Sequence, residues 1–154
     1  MRQEICLDEI SPFPRFVHRL HLSAESRYPT VAPLDARLFL CTDGEGSIAV
    51  DGTPIAVRKG TLLLLPSGTP YRIETPDAPL EYLALNFDYT RAASDKKTPI
   101  RPLPIEVYHP EDLLAPVRFV DEPLLNSPLI LEGMQRLEAP LSRLLRVFER
   151  KVIY

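Results

Sequence analysis

Apolar and polar positions alternate in short bursts along most of this chain, and a longer period sets in only near its end. Between Leu38 and Thr75 five of the six glycines cut the apolar residues into strand-length runs. Ser47 to Val50 is one such run. Asp51-Gly52 after it is a two-residue turn whose glycine tolerates positive φ. Ile55 to Val57 follows, then Lys59-Gly60, then Leu62 to Leu65, closed by Pro66-Ser67-Gly68; Tyr71 to Thr75 opens a further strand after Pro70. Upstream, Arg15 to Leu22 places Phe16, His18, Leu20 and Leu22 on one face and Val17, Arg19 and His21 on the other. Asp35 to Thr42 leads into the first glycines. Leu80 to Tyr89 is the clearest alternation, with Leu83, Leu85, Phe87 and Tyr89 on one face and Tyr82, Ala84, Asn86 and Asp88 on the other. Strands this short, with a turn about every eight residues, predict a mainly β protein built as a small antiparallel barrel or sandwich.

The end of the chain has a helical period. Leu137, Leu141, Leu144, Leu145, Phe148 and Val152 form an amphipathic stripe, flanked by the basic side chains of Arg143, Arg146, Arg150 and Lys151. Pro140 suits a first turn, so the helix is expected to begin near Glu138. Residues 1–14, with Ser11-Pro12-Phe13-Pro14, read as an N-terminal arm, and Phe13, Arg15 and Phe16 as a lid over the barrel or an extra edge strand. Residues 15–130 form the barrel and its cover, which is broken by prolines from residue 90 onward and holds a short strand over 105–108. Residues 131–154 carry the helix. The stripe runs on to Tyr154 without a stop signal, which predicts a fragment of a longer protein.

Composition narrows the class. At 154 residues the chain is long enough for one well-packed core, and a net charge of −3 does not describe a nucleic-acid-binding surface. Cys6 and Cys41 are too few for a disulfide scaffold, and no apolar run approaches membrane-spanning length. The expectation is a reduced, cytoplasmic protein with no membrane partner. His18 and His21, three apart on a strand, face opposite ways and cannot share one ion.

Gly60, Pro66, Gly68 and Tyr71 resemble, in their spacing, the second signature of the cupin family, a small double-stranded β-helix. Gly44-Glu45-Gly46 through Val50-Asp51-Gly52 is similar to the end of the first signature. In metal-binding cupins the second signature ends in His, where Tyr71 stands here. The first carries two His and a Glu, whose places fall near Val31, near Pro33 and at Arg37. The resemblance therefore implies a barrel with no metal and no other cofactor, since a guanidinium cannot ligate and repels a divalent ion. Tyr71 at an inward position puts Tyr71, Ile73 and Thr75 inside, and Arg37 does the same for Phe39 and Cys41. On the Leu80–Tyr89 strand the mixed face of Tyr82, Ala84 and Asn86 is the expected pocket face. The ligand-binding set is thus Arg37, Phe39, Tyr71, Ile73, Tyr82, Ala84 and Asn86. Arg37 anchors a hydroxyl or acid group, or pairs with Asp35 or Glu81.

A metal-free cupin barrel followed by a helix resembles the sensing and dimerisation domain of AraC-type transcription regulators. That resemblance implies a small polar effector, such as a carbohydrate, in the barrel. It also implies a homodimer through Leu137, Leu141, Leu144, Leu145, Phe148 and Val152, and contact with DNA only through a domain absent from this chain. No catalytic residue is expected and the chain is read as a non-enzyme. The alternatives are a metal-independent cupin enzyme such as a sugar isomerase or epimerase, and a cupin used only for oligomerisation. The expected interior, with Tyr and Arg but no His or Glu, lacks the base such an enzyme needs.

Overall fold

The computed structural model describes residues 2–153, with side chains through Arg150. Alternation becomes strand wherever the sequence shows it: β2 (Phe13–Leu22), β4 (Ala36–Asp43), β5 (Glu45–Val50), β6 (Thr53–Arg58), β7 (Leu62–Leu65), β8 (Tyr71–Ile73) and β9 (Leu80–Asp88). Short pieces complete the set: β1 (Gln3–Ile5), β3 (Val31–Ala32), β10 (Leu103–Pro104), β11 (Val117–Phe119) and β12 (Leu129–Leu131). One five-stranded antiparallel sheet runs β12-β7-β4-β9-β2, a second runs β10-β3-β8-β5-β6, and β1 pairs with β11 in parallel. The two larger sheets face each other across one apolar core and form a small antiparallel barrel. Asp51 and Gly52 both take positive φ, 49° and 81°, so the β5–β6 hairpin closes on the turn their sequence specifies.

Each strand of the first sheet sends alternate residues to opposite layers. Phe39, Cys41, Leu63, Leu65, Tyr82 and Ala84 point inward and meet Ile48, Val50, Tyr71 and Ile73 of the second sheet. Leu40, Leu62 and Leu83 point outward and are covered by the helix α1 (Glu138–Ile153), through Leu141 with Leu137 and Leu145 beside it. The helix is moored at Gly60, whose φ of +93° suits glycine, whose N–H donates to the Cys41 carbonyl (2.9 Å) and whose carbonyl accepts the Met134 N–H (2.9 Å). Three residues of the predicted stripe, Leu137, Leu141 and Leu145, are thus spent on the chain's own sheet. Leu144 and Phe148 are half-buried, and the side chain of Val152 lies outside the described residues. No helix among the described residues is long and apolar enough to cross a membrane.

Two expectations change. Residues 2–14 are held in place and are not a loose arm: β1 is paired, Leu7 N–H donates to Asp121 (2.9 Å), and β2, the edge strand of its sheet, already begins at Phe13. Residues 105–107 form a turn, with Val107 N–H donating to the Pro104 carbonyl (3.0 Å), because prolines at 102 and 104 leave too few ladder donors for a longer strand. The cover carries its strands at 103–104, 117–119 and 129–131 instead.

Arg15 ties the barrel to that cover. A register shift between Pro14 and Phe16 turns its side chain inward, where only 1% of the residue is exposed. Its guanidinium donates to Asp35 (2.7 Å), Asp88 (2.6 Å), and the carbonyls of Lys96 (2.6 Å) and Ala93 (3.3 Å). Removing one member of such a buried set leaves charges without compensation. Arg15→Met is expected to lower stability by about 3–5 kcal/mol, whereas Arg118→Met, which breaks the exposed pair with Glu4, is expected to cost less than about 1 kcal/mol. Urea unfolding of the two variants checks this, and equal losses would refute it.

Candidate functional site

Pairing register arranges the inner face of the first sheet in rows. Phe16, Asn86 and Arg37 stand side by side in one row, His18, Ala84 and Phe39 in the next, and Leu20, Tyr82 and Cys41 in the third. Beyond the third row the interior is filled by Leu22, Ile48 and Leu80. Across the first two rows it is not. A cavity of about 300 Å³ opens there, walled by Phe16, His18, Leu20, Arg37, Phe39 and Asn86 from the first sheet and by Val31, Tyr71 and Ile73 from the second. Tyr28-Pro29 and the segment Pro99–Pro102 close the remaining sides.

The candidate ligand residues divide accordingly. Arg37, Phe39, Tyr71, Ile73 and Asn86 line the cavity. Tyr82 and Ala84 face the same way but are core residues: Tyr82 lies edge-on to Phe39 at 6.1 Å with no exposed surface, and Ala84 is too short to reach past its neighbours His18 and Phe39. Thr75 falls beyond the end of β8 and bonds to the Ser26 carbonyl (2.6 Å). Phe16, His18 and Leu20 line the cavity although they were not among the ligand candidates. Their shared face was legible; that it is the inner face was not. Phe13 is not a lid: its ring takes the guanidinium groups of Arg15 and Arg91 at 5.2 and 5.0 Å.

His18 corrects the expectation of an interior without histidine. Its ring stacks on Phe16 at 4.8 Å, and burial, then the Arg37 charge, push its pKa down to about 4. At neutral pH it is an uncharged imidazole. Burial raises the Tyr71 phenol, which stays protonated, and its ring meets Phe39 edge-on at 5.3 Å. Arg37 is 4% exposed; Nη2 lies 3.2 Å from Asp35 and donates to the Ile100 carbonyl at 3.4 Å, while Nε has no hydrogen-bond partner among the described residues. Asn86 Oδ1 likewise has none. The places a metal-binding barrel of this kind would fill with His and Glu hold Val31, Tyr71, Arg37 and the buried Pro33, so this donor set does not fit a metal ion.

A family profile described as "Cupin" matches residues 5–109. No curated protein matches the chain. Among solved structures, ToxT from Vibrio cholerae, determined with an unsaturated fatty acid bound, is similar with a TM-score of 0.50 at 12% identity, over 90% of this chain and 47% of that one. A salicylate 1,2-dioxygenase from Pseudaminobacter salicylatoxidans gives 0.39 at 18% identity, over 46% of this chain and 19% of that one. The DMSP lyase DddQ from Ruegeria pomeroyi gives 0.42 at 18% identity, over 53% and 50%. The chain thus spans half or less of the length of each of these proteins. The expectation that it is not an enzyme does not stand: it rested on an interior without His or Glu, and His18 lines the cavity.

The neutral state of His18 has a measurable sign. Between the ordinary value of 6.5 and about 4 the unfolded chain binds a proton there that the folded chain does not. Stability contributed by this residue is complete above 6.5 and is lost as pH falls toward 4. His18→Leu is expected to flatten that part of the acid decline, read as urea midpoints across the window. An unchanged slope would show that His18 is not held neutral.

Proposed function

The chain belongs to the cupin family, and on that premise we propose that it is the effector-sensing and dimerisation domain of an AraC-type transcription regulator. The observation that carries this reading is the shared position of Phe16 and His18. Both line the cavity, and both line a groove between β2 and α1 along with Leu145, Arg146 and Phe148. The Phe16 ring meets Phe148 edge-on at 6.5 Å. A sensor needs its ligand site joined to an output element by packed groups, and here one aromatic side chain touches both. A ligand that fits one setting of Phe16 better than the other shifts the helix by that difference in affinity and by no more.

In this reading the output is the pairing of two copies through the helix. Leu137, Leu141 and Leu145 hold it to its own barrel and Phe148 meets Phe16 there, so among the described residues pairing falls to Leu144 and the outward-facing Val147, which is 45% exposed. DNA would be contacted by a domain outside this chain. A second reading, a metal-independent cupin enzyme, draws on His18, which gives the cavity one imidazole. With its pKa near 4 it is a weak base at neutral pH.

A thermal-shift panel of sugars and small acids tests the sensor. Ligands that raise the melting temperature are expected to change amide hydrogen exchange over residues 138–150. The protein is expected to sediment as a species of twice the 17.4 kDa chain mass. Binding with no change in helix exchange, or a single-chain mass with and without ligand, would overturn the proposal.

A further inference from the structure

The two inward arginines of this barrel differ in how fully they are used, and the difference points to the ligand. Arg15 is well supplied: two carboxylates and two backbone carbonyls take four of its five donors at 2.6–3.3 Å. It is a structural ion, and it does not line the cavity. Arg37, equally buried, has been left short. Asp35 gives its better-placed oxygen to Arg15 and faces Arg37 with Oδ1 at 3.2 Å, outside hydrogen-bond geometry. One long bond to Ile100 (3.4 Å) is all that Nη2 makes, and Nε makes none among the described residues. A buried guanidinium with idle donors is costly unless something else supplies acceptors. Arg37 stands on the cavity wall, so the acceptors can come from a ligand.

Charge says what kind. The cavity-lining residues with formal charge at neutral pH are Arg37 and Arg101; no carboxylate lines it, and His18 is neutral. Arg101 is exposed at the rim and has no ion pair among the described residues. Arg15 and Arg37 against Asp35 and Asp88 cancel formally, so Arg101 is the cation left over for an incoming anion. A carboxylate matches the planar fork of a guanidinium through two parallel bonds. Asn86, directly opposite Arg37 in the register, offers an amide for one further polar atom. Tyr28, Tyr71 and His18 add a few polar atoms, and the remainder of the wall is mostly apolar, with Phe16, Leu20, Val31, Phe39, Ile73 and Ile100. A carbohydrate would bury hydroxyls all round its ring, more than these few polar groups can answer. At about 300 Å³ the space is at the small end of ligand sites, roughly 300–1,000 Å³, enough for one ring or a short chain.

We infer that the barrel takes a small, mainly apolar organic carboxylate, gripped at its acid end by Arg37 and closed over by Arg101. This rests on the cavity being the effector site. The acid would compete with the Ile100 carbonyl for Nη2 of Arg37, so binding also bears on the segment Pro99–Pro102 that walls the site.

The test is calorimetric titration of the protein with benzoate and octanoate, with their uncharged amides, and with a pentose and a hexose. Acids are expected to bind roughly 10–100-fold more tightly than the matching amides, the margin of a charge-assisted hydrogen-bonded pair. Arg37→Gln is expected to erase that margin by weakening the acids far more than the amides. The acid–amide comparison on the unaltered protein needs no variant and stands if Arg37→Gln does not fold; Arg101→Gln, at an exposed position, is expected to narrow the same margin. A cavity-filling variant, Ile73→Trp, separates the two layers of the argument. Sugars, or amides as tightly as acids, binding to the unaltered protein and blocked by Ile73→Trp would overturn the carboxylate and leave the sensing cavity standing. Binding that Ile73→Trp does not touch, or no binding by any probe, would overturn both.

Discussion

A guanidinium buried in a barrel wall is tolerable only if everything around it is arranged to receive it, and Arg15 imposes that arrangement here. Its four acceptors come from four places: Asp35 just before β4, Asp88 at the end of β9, and the backbone at 93 and 96. Isolated burial of such an ion would cost several kcal/mol, and the same cost falls on each carboxylate if the ion is lost. The set therefore forms together or not at all. Because Asp35 is committed to Arg15, Arg37 is left undersupplied, and the character of the cavity follows from a bond made outside it.

The strands of the barrel were legible because local chemistry and global packing agree there. Asp51-Gly52 needs positive φ at both positions and has residues that accept it. The alternation of Tyr82, Ala84 and Asn86 against Leu83 and Leu85 separates a face on the inner core from a face under the helix, as the register shows. Glu138 begins the helix two residues before Pro140, which fits a first turn. Arg15 was not legible. A one-residue bulge between Pro14 and Phe16 reverses which side chain turns inward, and nothing in Phe13-Pro14-Arg15-Phe16 announces it. Depth was hidden too. Parity puts Tyr82 and Asn86 on one face but is silent on which of them reaches open space, a matter settled by Leu22, Ile48 and Leu80 filling one end of the barrel. Residues 90–131 were hardest, because their order comes from partners far away in sequence: Ile5 against Phe119, Leu64 against Leu129, Arg15 against Lys96.

The inner and outer layers of the first sheet are separate apolar clusters, one between the sheets and one under the helix. Phe16 belongs to neither: it stands on the edge strand β2, nearer the open end of the barrel than Leu20 and Leu22 of the inner cluster. Only at such an edge can one side chain touch an internal space and an external helix at once. The same position in a central strand would face one layer or the other.

The parallel pairing of Gln3–Ile5 with Val117–Phe119 fixes more than the first residues of the chain. Together with the hold of Arg15 on Asp88, it pins the long excursion between residues 88 and 117 at both feet. Within it, Arg15 also holds the carbonyls of 93 and 96 and β10 pairs with β3, so Pro99–Pro102 is a short link between two anchored points with no free edge to swing. Traffic past that link is then limited by how far so short a tether can yield, independently of how well the chamber below would hold a molecule.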